Sequence, residues 1–462
     1  MKKKENRTYE DRKRENRTQE YPKQKCQGSA SLTISRKNLC EGILLLFLLI
    51  PFFRPDLVSE MPRESAINRL FIWWRVLAFL IIAARYGLEF LKRPQFDICL
   101  LLIGIYELEL LYSSVIHQEL VKERIIDIAN FFGIYFLYQC YGRQYPRLFI
   151  KINYYFFSFL VWINAFLTVL FPRGLNHAAD NSARINFLGK DNTITLVFIL
   201  TIVFCALYHN LHPRSPSAFL TTAAILAMQL YYRSGSGVVA TLVIIAYLWL
   251  VSGMEIVNRL LKPGLMFAVY MVLEIVIVFL NEISFLGPLF RILNKASTFT
   301  DRRYYWMSAF YQLKKTPVFG QGSGITFLWD NNYYSHNSFL DILLKGGIVG
   351  AVLWCLMIFV IMKSLKLKEN LRIQGFLVCC FFAFLLVGLM EGLEERIAFN
   401  AFLGLIPAMG AIERSGILRN RLVDPGIRIR SRIRIRLKQR IRIRHNGIRS
   451  AEGGERPHVL YH

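Results

Sequence analysis

The sequence predicts an all-α, polytopic integral membrane protein of about twelve transmembrane helices. Hydrophobic residues make up 54% of the chain, and long apolar runs recur from Cys40 to Glu413. A soluble fold cannot bury so many separate runs, whereas a bilayer surrounds each with the medium it needs. The formal net charge of +25 would suggest nucleic acid, but the excess sits in two tails that flank the apolar block. It therefore reads as membrane topology rather than a nucleic-acid surface. Three regions follow: a basic N-terminal tail over 1–38, a membrane block over 39–413 and a basic Ile/Arg-rich tail over 414–462.

The N-terminal tail is polar and mixed in charge, and no small-residue cleavage site follows the first apolar run, so no cleaved signal peptide is expected. Helices are predicted at roughly 40–53, 69–85, 96–113, 125–141, 148–171, 193–210, 217–232, 237–253, 265–281, 338–362, 373–390 and 397–413. An even count places both tails on one side, and their lysines and arginines assign that side to the cytoplasm. The inward connections then carry Lys92, Arg143, Arg214, Arg259 and Lys363. The outward ones also hold basic residues, among them Arg173, Arg184, Arg233, Arg302 and Arg303. The eight cysteines show no CxxC spacing and no disulfide framework.

Most connections are short. The longest, about 282–337, faces outward in this topology, and long loops in compact proteins are usually functional. Within it Trp306, Phe310 and Leu313 recur at helical spacing beside Met307 and Tyr311, which predicts an amphipathic helix. Thr300 would cap its start, Asp301 suits its positive end, Lys314 and Lys315 its negative end, and Pro317 stops it. Such a helix also suits a lid lying on the bilayer surface. The next stretch is glycine-rich and then aromatic, from Gly320 to Tyr334, a composition that suits sugar rings and membrane interfaces alike.

The tenth membrane helix opens in HNSFLDILLKGGIVG, where Ser338 with Asp341 resembles a capping box. His336 then sits just outside a helix N-terminus, which disfavours a second positive charge and suits a proton acceptor. The same end, with Arg302 or Arg303 nearby, would hold a phosphate-like anion. An interfacial histidine bonded to a neighbour would satisfy the spacing equally well. Gly346 and Gly350 are spaced for close helix packing, and Asp341 and Lys345 for an i, i+4 pair. The tail over 427–444 alternates Ile and Arg and would adhere to anionic inner-leaflet lipid.

Arg302 four residues before Trp306, then Pro317, Gly320 and Gly322 as P-x-x-G-x-G, then His336 and Asn337 with the pair Gly346 and Gly347, together resemble the signature of the bacterial O-antigen ligase/polymerase family. The match covers about 301–352; the rest of the membrane block is alike in architecture, and the tails are not. The resemblance implies a helical fold similar to C-type glycosyltransferases, with one long extracytoplasmic loop. It implies metal-independent transfer, without a cofactor, of undecaprenyl-diphosphate-linked glycan at the outer face of the bacterial cytoplasmic membrane.

By the same resemblance His336 is the base and Arg302 a diphosphate ligand, with Arg303, Asn337 and Trp306 in the same segment as substrate contacts. A mid-chain Ser-Arg-Gly-like motif of the family becomes YYRSGSG here, which leaves Arg233 near but out of register. Arg184 and Asn192, in SARINFLGKDN, are similar to a further element in which an arginine precedes Gly and Asn. The expected partners are lipid-linked oligosaccharide, an acceptor glycan, membrane lipid and other polysaccharide-assembly proteins, with no nucleic acid. A polysaccharide polymerase is favoured over an O-antigen ligase acting on lipid A-core, by analogy with family members that have variable basic tails. A transporter of lipid-linked oligosaccharide is the alternative of another class, with Glu107, Glu109, Glu274 and Glu391 as pathway groups. A membrane scaffold acting through its tails is a third.

Overall fold

The computed structural model describes residues 36–59, 65–92, 94, 96–118, 120–177, 184–190, 192–280, 298–323, 335–394 and 396–418. Both charged tails, including the Ile-Arg repeat, lie outside the described residues, as do 281–297 and the aromatic stretch 324–334. Two compact units are distinguished, Met1–Ile43 and Leu44–His462. Of the first, the described part is the opening of helix α1; the site below belongs to the second.

Each of the twelve expected segments coincides with a helix. These are α1 (Arg36–Leu49), α2 (Ala66–Lys92), α3 (Ile98–Ile116), α4 (Val121–Gln144), α5 (Pro146–Leu170), α6 (Ile194–Leu211), α7 (Ser217–Tyr232), α8 (Gly235–Val251) and α9 (Pro263–Phe279). After α10 (Thr298–Leu313) in the long loop come α11 (Ser338–Lys363), α12 (Leu371–Gly388) and α13 (Ile397–Arg414). Among the described residues seven helices, α2, α3, α5, α6, α11, α12 and α13, are long and apolar enough to cross a membrane. Helices α7, α8 and α9 are apolar but shorter. Helix α4 is long but carries Lys122, Glu123, Arg124 and Asp127 in its first two turns. The chain is thus a mostly helical, multi-pass membrane protein; its only described strands are the two-residue pair Asn176–His177 and Arg184–Ile185.

Local chemistry sets several helix ends. Asp97 caps α3 by accepting from the Cys99 and Leu100 amides at 3.1 and 3.2 Å. Pro146 opens α5, where its missing N–H is no loss. Helices α4 and α13 pack together at the centre, and α3 runs along α11. The outer helices turn large apolar side chains outward, among them Trp73, Leu91 and Val169. That pattern suits lipid contact, where the backbone is satisfied within each helix.

Helix α11 is broken at Gly347, whose φ of 61° and ψ of −158° are not helical. The P-x-x-G-x-G segment threads this break. The Ile348 and Val349 amides donate to the Pro317 and Val318 carbonyls at 2.9 and 3.1 Å. In return the Gln321 and Gly322 amides donate to Leu344 and Lys345 at 2.8 and 3.0 Å. Irregular backbone at membrane depth persists where other protein groups satisfy it, and this strap does so. The conformation at Gly347 is nearly glycine-only, and a methyl there would meet the Val318 carbonyl. Gly347→Ala should therefore cost about 1–3 kcal/mol, seen as a lower melting temperature of the detergent-solubilised protein. An unchanged melting temperature would mean that the break is not held as described.

One local expectation is corrected. Helix α10 begins at Thr298, two residues before the predicted cap. Its packed side is Trp306, Ser308, Ala309 and Gln312, while Met307 and Tyr311 are exposed. Gly346 and Gly350 pack closely against α3 as expected, both facing the Glu109 carboxyl.

Candidate active site

The start of α11 is capped one residue earlier than predicted. The Asn337 side chain accepts from the Leu340 amide at 2.7 Å, so Asn337, not Ser338, is the N-cap. Ser338 is then free to face the loop between α12 and α13. Its hydroxyl donates to the Glu391 carbonyl at 2.7 Å and accepts from the Leu393 amide at 3.0 Å. Asn337 also donates to the Leu389 carbonyl at 3.2 Å. Asp341 accepts from the Ser335 amide at 2.5 Å rather than closing a capping box. The helix start and the 389–393 loop are therefore sewn together.

The carboxylate of Glu391 is the hub of what these bonds position. It is buried, 3% exposed. Its Oε1 accepts from Arg302 Nη2 at 3.1 Å and from Asn192 Nδ2 at 3.0 Å. Its Oε2 lies 3.8 Å from Nδ1 of His336. Arg302 also donates to the Met390 carbonyl. Asn192 is fixed from its other side by Ser234, whose hydroxyl donates to Asn192 Oδ1 at 3.1 Å. Three distant segments of sequence, the 185–193 loop, α10 and the start of α11, thus converge on one acid.

Burial alone would raise the Glu391 carboxyl, but His336, Arg302 and Arg396 around it outweigh that and bring it down to about 2. It is a permanent anion at neutral pH. His336 has a left-handed backbone, φ 58°, uncommon for a residue other than glycine, and its ring lies 5.5 Å from that of Tyr305. Its side chain is 22% exposed, so it is reachable from outside the fold. A strained, half-buried histidine held against a buried carboxylate can exchange a proton with a bound hydroxyl.

Of the residues singled out in the sequence, His336, Arg302 and Asn192 meet at Glu391. Asn337 lies beside them, but both of its polar side-chain atoms bond to protein, which corrects its expected role as a substrate contact to a structural one. Trp306 is likewise corrected: it is 1% exposed and anchors α10 in the core. Arg233 ends α7 in a left-handed cap and is exposed, one residue from Ser234. The side chains of Arg303 and Arg184 lie outside the described residues.

Glu391 itself was visible in the sequence only as a candidate transport group. The available signal was an acidic loop, EGLEER, between two apolar runs, where a buried carboxylate needs a cationic partner. A second buried ion cluster lies nearby. Arg124 binds Glu107 and, at 2.9 Å, Glu394, which lies 3.4 Å from Lys345 Nζ. Lys345, expected to pair with Asp341 along the helix, acts on Asp341 by its charge and also reaches Glu394. Comparison with known proteins returns no matching family model, no matching curated protein and no matching solved structure.

Proposed function

We propose that the protein is a membrane glycosyltransferase of the polysaccharide polymerase type, moving undecaprenyl-diphosphate-linked glycan repeat units onto an acceptor glycan at the outer face of the bacterial cytoplasmic membrane. The observation that carries this is the convergence of His336 and Arg302 on Glu391 at the mouth of α11. The resemblance around 301–352 supports it, as does the co-location of those motif residues in space. In this topology all twelve helices span, both tails are cytoplasmic, and the fold is of the C-type glycosyltransferase kind.

The chemistry follows from the cluster. The acceptor hydroxyl attacks the anomeric carbon; the new C–O bond forms as the bond to the lipid diphosphate breaks, and the acceptor proton goes to His336. With Nδ1 toward Glu391, the proton arrives at Nε2, and the carboxylate stabilises the imidazolium formed. Arg302 meets the charge that grows on the departing diphosphate. Because Arg302 is held by Glu391 in this structure, a bound diphosphate competes for it. Drawing Arg302 away leaves Glu391 to orient His336 when the donor is in place.

His336→Ala and Arg302→Ala are expected to retain membrane levels by immunoblot while failing to restore long polymer in a null strain. General-base removal costs about 10²–10⁴ in rate and loss of an oxyanion donor about 10²–10³. Single-repeat product would mark a polymerase and unlinked lipid-bound glycan a ligase. Full-length polymer from both variants would refute the transferase and favour a transporter. Glu109, a buried carboxyl in α3 with no hydrogen-bond partner among the described residues, is the observation on that side.

A further inference from the structure

Beside the Glu391 cluster lies a cavity of about 240 Å³. It shares a wall with the cluster through two residues. Thr193 follows Asn192, and Arg396 both lines the cavity and acts by its charge on Glu391. The size fits one sugar residue rather than a chain, since drug-sized ligands take about 300 Å³ or more.

The lining is divided in a way that suits a sugar with an acidic group. Phe52, Phe53 and Leu160 offer apolar surface for a ring face. Arg54, Arg75 and Arg396 outnumber the acids Asp56 and Asp127, so the cavity is net cationic. Asp127 acts on Arg75, Asp56 on Arg54 and Arg396 on Glu391, so the arginines of the wall are held in place by acids around them. Two buried polar atoms of the wall, Arg54 Nε and Asn130 Oδ1, have no hydrogen-bond partner among the described residues. Buried polar groups are usually satisfied, so an unsatisfied donor and acceptor in one cavity wall point to a polar occupant. Arginines are suited to carboxylate and phosphate oxygens.

We propose, resting on the transferase reading above, that this cavity binds one acidic sugar residue of a substrate glycan, its carboxylate or phosphate held by Arg54, Arg75 and Arg396. The site would place that residue on the Asn192 and Arg396 side of the Glu391 cluster and restrict the enzyme to glycans that carry such a group near the reacting sugar.

The test is ligand binding to the purified full-length protein, followed by ligand-detected NMR and thermal shift with glucuronate, glucose 1-phosphate and glucose as probes. One of the two acids should bind at least about tenfold more tightly than glucose. Which acid wins names the source, a uronic carboxylate or a sugar phosphate. Asn130→Asp adds a negative charge of the same shape to the wall and should weaken that binding about tenfold, a difference of about 1.4 kcal/mol. Arg396→Gln is the second variant should the first fail to fold.

Equal binding of glucose and both acids, no binding of any probe, or binding indifferent to the wall variants would overturn the site. Acid binding in a protein without any transfer activity would sink the transferase and leave the site standing. Transfer without an acid preference would do the reverse.

Discussion

Glu391→Gln should destabilise the protein and remove the share of its acid stability loss that this carboxyl contributes between about pH 4.5 and pH 2. Glutamine keeps the shape of the side chain but removes the charge that Arg302 and His336 face, and Arg302 is only 15% exposed. In the wild type the carboxyl falls from its ordinary 4.5 to about 2 on folding. A depressed acid contributes stability above its unfolded value and loses it as pH falls through the folded one. The contribution is therefore complete above about pH 4.5 and disappears toward pH 2. Its size is on the order of 3 kcal/mol. Melting curves in detergent at pH 7 and below should show the variant lowered at pH 7, with the gap closing as pH falls. The variant should also fail to make polymer, because neither the base nor the diphosphate ligand is positioned. A melting temperature equal to wild type at pH 7 would show that Glu391 does not bear the ion pairs described.

Arg124→Gln should be the most damaging single change for folding. Arg124 is 1% exposed and is the cation between Glu107 and Glu394. Removing one partner of a buried pair costs about 3–5 kcal/mol, because the opposite charge stays buried without compensation. Here two buried carboxylates would lose their shared cation, while Lys345 still reaches Glu394. The variant should be scarce in membranes by immunoblot. Adding Glu107→Gln to Arg124→Gln should recover a substantial part, since a neutral pair avoids the buried charge. A single variant at normal levels, or a double variant worse than the single, would contradict this account. The cluster is a matter of stability and stands apart from the cluster at Glu391, so its damage should not be rescued by any change at His336.

The helices were legible because apolar runs of membrane length leave few alternatives, and all twelve predicted segments are helical. Helix α10 was legible from the spacing of Trp306, Phe310 and Leu313, and its packed side confirms Trp306 as the anchor. Pairing across the fold was not. Ser338 and Asp341 read locally as a capping box, but Ser338 bonds to Glu391 and Leu393, more than fifty residues on. Asp341 and Lys345 read as a helical pair, and Lys345 does act on Asp341, but its contact with Glu394 was not legible. Spacing rules see neighbours within one helix and cannot weigh a competing partner from another. The same limit hid Glu391, whose partners come from three remote segments. The break at Gly347 inside the helix predicted over 338–362 was not legible, because the segment that threads it is held by tertiary hydrogen bonds.

The most direct test of the central claim is transfer by the purified protein in lipid nanodiscs, supplied with undecaprenyl-diphosphate-linked glycan from its own source strain. Released undecaprenyl diphosphate and lengthened glycan are measured together for the wild type and His336→Ala. The account predicts equal amounts of both products from the wild type, without added metal, and at least about a hundredfold less of each from the variant. Glycan lengthened at the same rate by both proteins would contradict it, as would a wild type that moves the lipid-linked glycan across the bilayer and releases no lipid diphosphate.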